Sequence, residues 1–275
     1  MSNRFIKGII GDGFLTEIIL TAFTRQIGIS PEDTYVLAQT SGRCQELLEQ
    51  YNVHAVQNSM VFIPASQIVI LAVEDTASIN DLMLQISRQI NENALIISVV
   101  QGLKLSTIEK YFPNHMVIRM IMNPWVVSGF GVSTYIAGKH HNAEAANIAR
   151  ALLTSLGETV EVDTENELEI VGELILSETV YSYLTVKALI GSGKRAGLSL
   201  DKSKELVFKI LTSSTTAISS ADSLAESVIE RSHGQTDYLE KGRQLMEKYN
   251  ILQNFQQSFA DPIEAKDVLR FHYHF

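Results

Sequence analysis

From Arg4 to about Asp163, short β-branched runs alternate with amphipathic stretches: FIKGIIG precedes Phe14 to Ile27, TYVLAQ precedes Arg43 to Tyr51, QIVILAV precedes Ile79 to Ile90, and ALIISVV precedes Leu105 to Phe112. Strands that alternate with helices pair in parallel, because each crossover returns the chain to the same end of the sheet. IVILAV and LIISVV are apolar at every position, which predicts central strands covered on both faces. MVIRMIM, VSTYIAG and ETVEVD extend the sheet, and Ala143 to Leu156 adds a helix. Residues 1–163 are therefore expected to form a doubly wound α/β domain.

The pattern changes after the polar stretch Asp163-Thr164-Glu165-Asn166-Glu167. Leu174, Ile175, Val180, Tyr181, Tyr183, Leu184, Val186, Ala188 and Leu189 lie nearly all around a helix, which implies burial on all sides. A small helical domain cannot wrap such a helix alone, so a second subunit is expected. Val207, Ile210, Leu211, Ile218, Ala221, Ala225 and Val228 form a stripe at helical spacing, predicting one buried face and one wet one. Residues 164–275 thus read as an all-α dimerisation domain, and the tail DVLRFHYHF carries no legible period.

Within KGIIGDGFLTEIIL, Gly11-Asp12-Gly13 joins a strand to a helix. In a dinucleotide fold the first glycine permits the tight turn, the second lets the backbone approach the pyrophosphate, and a third, small residue lets helix and strand pack. Gly11, Gly13 and Thr16 hold those positions; Thr16 is bulkier than usual, and Asp12 brings a negative charge near an anion. The helix amides that follow would point at the phosphates. At the end of the second strand, where an NAD site carries an acid, the chain reads Ala38-Gln39-Thr40-Ser41-Gly42-Arg43. Thr40, Ser41 and Arg43 suit a 2′-phosphate, so the expected cofactor is NADP, as NADPH; a plain helix-capping loop is the other reading.

Composition narrows the partners. A net charge of -9 and Lys+Arg of only 22 in 275 residues argue against nucleic acid and anionic membranes. The N-terminus lacks a basic and long apolar leader, and no apolar run approaches membrane-spanning length, so the cytoplasm is the expected location. One cysteine, Cys44, leaves no intrachain disulfide and suits a reducing compartment. His140-His141 and His272-x-His274 bring no third ligand in a recognisable pattern, so no metal site is expected.

Beyond GDGFLTEIIL, the segment Gln67 to Val73, ALIISVVQGL and RMIMNPWVVSGFGV, with Arg119, Asn123, Gly129 and Gly131 in place, resemble successive blocks of the pyrroline-5-carboxylate reductase family. YLTVKALIGSGKRAGLSLDKS resembles its long helix and the Ala-Gly-x-x-x-Gly-Leu ending, through Gly193, Gly197 and Leu198. The resemblance runs from Ile6 to about Leu245. It implies a Rossmann-type domain followed by a helical domain that interlocks with a dimer mate, and NADPH-dependent reduction of a small imine or keto substrate. It further implies cofactor contacts from Gly11, Asp12, Gly13, Phe14, Leu15, Thr40, Ser41, Arg43, Ala72, Val73 and Asn123, and substrate contacts from Ser177, Gly234, Gln235 and Thr236, with Thr236 and Asn123 as the catalytic pair; Arg231, which the family loop lacks, is a new candidate clamp for a substrate carboxylate.

Departures from the family fall where its chemistry sits. The family's Ser-Gly-Ser-Gly-Pro-Ala-Tyr is Ile175-Leu176-Ser177-Glu178-Thr179-Val180-Tyr181 here, and its Thr-Ser-Pro-Gly-Gly-Thr-Thr loop is Glu230-Arg231-Ser232-His233-Gly234-Gln235-Thr236. The usual Lys-Pro after the fourth strand is Glu74-Asp75, and Pro-Asn-Thr-Pro is Met122-Asn123-Pro124-Trp125. Thr236 reads equally as a helix N-cap; Asn123 has the alternative of a turn residue before Pro124 and Arg231 that of a surface charge, and His233, a candidate proton donor by position, reads as a loop histidine. A non-catalytic relative with a regulatory or protein-interaction role is the competing expectation.

Overall fold

The structure is a computed structural model that describes residues 5–25, 30–74, 77–220, 237–251, 253 and 254. Eight strands form one sheet in the order β3-β2-β1-β4-β5-β6-β7-β8. They are β1 (Ile6–Ile10), β2 (Thr34–Leu37), β3 (His54–Val56), β4 (Ser66–Leu71), β5 (Leu95–Ser98), β6 (Val117–Met122), β7 (Gly131–Ala137) and β8 (Gly157–Glu161). All neighbours pair in parallel except β6 and β7, which run antiparallel with Met120 opposite Tyr135. The helices are α1 (Phe14–Arg25), α2 (Ser41–Tyr51), α3 (Ile79–Ser87), α4 (Leu105–Tyr111), α5 (Ala143–Leu156), α6 (Glu165–Arg195), α7 (Leu200–Ser220) and α8 (Asp237–Lys248).

The all-apolar strands are explained by two cores. Ile9, Ile68, Ile70, Leu95, Ile97, Ile118 and Met120 pack with residues of α1, α2 and α5 on one face of the sheet. Ile10, Val69, Leu71, Ile96 and Val117 pack with residues of α3 and α4 on the other. Each strand residue alternates faces, and both faces are dry. Burying one such side chain contributes about 1.5–3 kcal/mol, so the doubly covered strands hold the domain together. The expected order of strands and helices is found, with one addition: the three-residue β3, which pairs with β2 through Tyr35 to His54. It is too short to show a period of its own.

The chain divides into two compact units, Met1–Thr179 and Val180–Phe275, so the division falls inside α6. The polar stretch before α6 is a capping box. Thr164 Oγ1 accepts the Glu167 amide at 3.1 Å, and Glu167 Oε2 accepts the Thr164 amide at 3.2 Å. In the first unit α6 buries Leu168, Gly172 and Ile175. Its start is tied to β6 by Arg119, only 2% exposed, which reaches Glu165 Oε1 at 3.3 Å and Glu169 Oε1 at 2.6 Å. Glu165 Oε1 also accepts the Leu105 amide at 2.7 Å, joining the start of α4 to the same cluster.

In the second unit α6 ends on Gly197 at φ +98°, and the Leu198 amide returns to the Gly193 carbonyl at 3.0 Å. This is a left-handed helix end that glycine adopts without strain. A Cβ on Gly193 would lie 2.7 Å from Ser203 Oγ, so α6 and α7 approach closely there. The apolar stripe of α7 departs from expectation. Val207 is buried, but Ile210 and Ile218 are exposed in the single chain, and Ala221, Ala225 and Val228 lie outside the described residues.

Candidate functional site

Strand order reverses direction between β1 and β4, and a sheet of this kind opens a crevice at the carboxyl ends of the strands flanking that point. Gly11-Asp12-Gly13 leaves β1 there, and Ala72-Val73-Glu74 leaves β4 opposite it. Gly11 has φ +128°, and a Cβ on it would sit 2.4 Å from the Ala72 carbonyl oxygen. Only glycine fits both the dihedral and the space. The Ala72 amide donates to the Ile10 carbonyl at 2.9 Å, so the two loops leave the sheet in fixed register.

Thr16, at the third position of the motif, is fully buried, and its hydroxyl donates to the Gly11 carbonyl at 2.8 Å. Its extra bulk closes the turn instead of opposing it. The Glu17 amide donates to the Gly13 carbonyl at 3.2 Å, which begins α1. The amides before Glu17 precede that first helical donor, and they are the groups that bind anions at a helix start. One of them, the Leu15 amide, donates to Glu74 Oε1 at 3.2 Å. Phe14 is exposed, Leu15 and Val73 are half-buried, and Ala72 is buried.

At the end of β2, Thr40 caps α2, its hydroxyl oxygen accepting the Arg43 amide at 3.2 Å, and Ser41 is exposed beside it. The Asp12 carboxylate spans from the first loop to accept the Gln39 amide at 2.8 Å. Arg43 turns back toward the same loop. Its Nε and Nη2 donate to the Asp12 carbonyl at 2.9 and 2.8 Å, and it pairs with Glu17 and Glu46. Hydrogen bonds first to Glu17 and then to Glu46 raise its already high pKa. The structure thus brings Gly11, Asp12, Gly13, Thr40, Ser41 and Arg43 to one edge of the crevice, with Arg43 bracing the glycine loop.

Asn123, where β6 ends, is buried and bound into a turn. Its Oδ1 accepts the Val132 amide at 3.1 Å, and its own amide donates to the Val132 carbonyl at 3.1 Å. That pairing closes the β6–β7 connection around the short helical turn Pro124–Ser128, which packs against α1. A Cβ on Gly131 would fall 2.5 Å from the Val126 amide nitrogen, so the turn also needs this glycine. Ser177 lies half-buried on α6. Arg231, His233, Gly234, Gln235 and Thr236 lie outside the described residues. Sequence reasoning missed the placement of Glu74 against α1 and the closing bond of Thr16. For Thr16 a signal existed: a hydroxyl residue five positions after the first glycine.

No family model matches the chain. Among curated proteins it is 29% identical over 191 residues to a pyrroline-5-carboxylate reductase of Synechocystis, covering 70% of each chain. It is 28% identical over 217 residues to pyrroline-5-carboxylate reductase 2 of Bacillus subtilis, covering 76% of this chain and 74% of that one. The chain is a divergent relative of the pyrroline-5-carboxylate reductases. The fold agrees: a pyrroline carboxylate reductase of Plasmodium falciparum with NADP bound superimposes with a TM-score of 0.78 at 17% identity, covering 94% of this chain and 95% of that one. Like that reductase, the chain follows a Rossmann-type sheet with a helical unit.

Proposed function

We propose that this chain is an NADPH-dependent reductase of a small cyclic imine of the pyrroline-5-carboxylate type, serving proline biosynthesis or a related imine or ketone reduction in the cytoplasm as a homodimer. The carrying observation is Gly11, held at φ +128° against the Ala72 carbonyl where strand order reverses, with α1 starting three residues later at Phe14. That arrangement fits a dinucleotide: the glycines leave room for the pyrophosphate, and the first amides of α1 face it. Thr16 and Arg43 keep the loop in shape from below and from the side. Thr40 and Ser41 stand at the α2 start, where a 2′-phosphate would receive helix amides and hydroxyls.

When bound, NADPH supplies the hydride for the imine carbon. The chain's part is positioning, and holding donor and acceptor at near-attack distance is worth about 7 kcal/mol or more in well-oriented systems. We assign backbone amides near Gly234, with Gln235, Arg231 and Ser177, to holding the substrate carboxylate, and the Thr236 hydroxyl to the imine nitrogen. Asn123 acts by shaping the turn beside α1, through Val132. Dimerisation would cover the exposed Leu174, Val180, Tyr183, Leu184 and Leu189 of α6.

Turnover of pyrroline-5-carboxylate, followed as loss of NADPH absorbance, tests the proposal. The wild type is expected to turn over with NADPH in preference to NADH, and Thr236→Val to lower kcat far more than NADPH affinity. Protein that binds NADPH but reduces no cyclic imine, imino acid or short ketone is the non-catalytic relative instead. Thr236→Val with full turnover and about 1 kcal/mol lower stability makes Thr236 a helix cap.

A further inference from the structure

The carboxyl group of Glu74 lies directly over Gly13. A Cβ built on Gly13 would fall 2.6 Å from Oε1, 2.7 Å from Cδ and 2.9 Å from Oε2, so the acid fills the space left by the missing side chain. From the other side the Leu15 amide donates to Oε1 at 3.2 Å. A bare glycine and a free helix amide are the two features a pyrophosphate uses, and here both are engaged by an internal anion. Among the described residues no cation pairs with Glu74. The helix start is what holds it.

We infer that Glu74 competes with the cofactor pyrophosphate for the start of α1, so that dinucleotide entry requires its side chain to swing off Gly13. This rests on the dinucleotide reading above. A carboxylate has the charge sign and the acceptor habit of a phosphate oxygen, and the two cannot share one cradle. The backbone need not move, since Ala72 is pinned to β1 by its amide bond to the Ile10 carbonyl. Glu74 is exposed, and a glutamate side chain rotates into water at little cost. Apparent affinity is then reduced by the fraction of molecules in which Glu74 covers the cradle, and further by repulsion from a carboxylate left nearby.

The test measures dissociation constants for NADPH and for adenosine 2′-monophosphate, which carries the adenosine and 2′-phosphate but no phosphate at the 5′ position. The proteins are the wild type, Glu74→Gln, Glu74→Ala and a distant surface control, Glu92→Gln. Glu74→Gln keeps the shape and removes the charge, whereas Glu74→Ala removes both. Both Glu74 variants are expected to bind NADPH about three- to tenfold more tightly than the wild type. Binding of adenosine 2′-monophosphate should stay within twofold throughout, and Glu92→Gln should match the wild type with both ligands. Unchanged or weaker NADPH binding in both Glu74 variants overturns the inference while leaving the cofactor site intact. Equal tightening toward adenosine 2′-monophosphate, or the same gain in Glu92→Gln, also overturns it, because net charge is then the cause. Absence of NADPH binding in all four proteins removes the cofactor reading, and the inference falls with it.

Discussion

A Cβ on Gly11 would press against backbone, the Ala72 carbonyl, whereas a Cβ on Gly13 would meet only the mobile end of Glu74. Substitutions two residues apart should therefore behave differently. Gly11→Ala forces an L-residue to φ +128° against a fixed carbonyl and is expected to cost about 3 kcal/mol in chemical denaturation. Gly13→Val should stay within about 1 kcal/mol of the wild type, because Glu74 can move aside, yet it should abolish NADPH binding by filling the pyrophosphate space. Normal NADPH binding by Gly13→Val would reduce the motif to a turn. The glycines were legible because the turn demands them by spacing. Arg43 was legible as a cation but not in its partners: its guanidinium meets a carbonyl of a loop 31 residues away, a contact created only by the fold. The same holds for Asn123 and Val132, whose pairing exists only once β6 and β7 lie side by side.

At the scale of elements, strands and helices followed from apolar runs and caps. β3 did not, because three residues packed beside β2 owe their conformation to their neighbour. The connection from α4 to β6 adds a pH dependence that no spacing announces. His115 Nε2 donates to the Asn91 carbonyl at 3.1 Å, and its buried Nδ1 has no hydrogen-bond partner among the described residues. Burial lowers its pKa below 6.5, outweighing the bond to Asn91, and the charge on His140 lowers it further. A histidine harder to protonate when folded leaves stability fully present above pH 6.5, and that stability is lost as pH falls through the lowered folded value. Denaturant midpoints of the wild type should thus decline between pH 6.5 and 5, and His115→Gln should flatten that decline. An identical slope in the variant would place the loss on other groups.

For the whole molecule, a helix apolar on all sides pointed to a second copy; within the single chain Ile175 is buried, whereas Leu174, Val180, Tyr183, Leu184 and Leu189 are exposed, Leu184 at 53%. The apolar stripe of α7 was misleading in detail, since Ile210 and Ile218 are exposed in one chain; a pattern tells that a face is to be covered and not by what. Sedimentation at micromolar concentration should give twice the 30.5 kDa chain mass, and Leu184→Glu should shift it toward the monomer. A stable wild-type monomer would contradict the dimer. The proposed function requires the cofactor held at Gly11 and Gly13 to give a hydride to an imine, and isotope transfer reads that step directly. With NADPH deuterated at C4 of the nicotinamide, on the transferring face, and pyrroline-5-carboxylate as acceptor, the product should carry one deuterium at the former imine carbon. Proline without deuterium, or no product from protein that binds NADPH, would contradict the account.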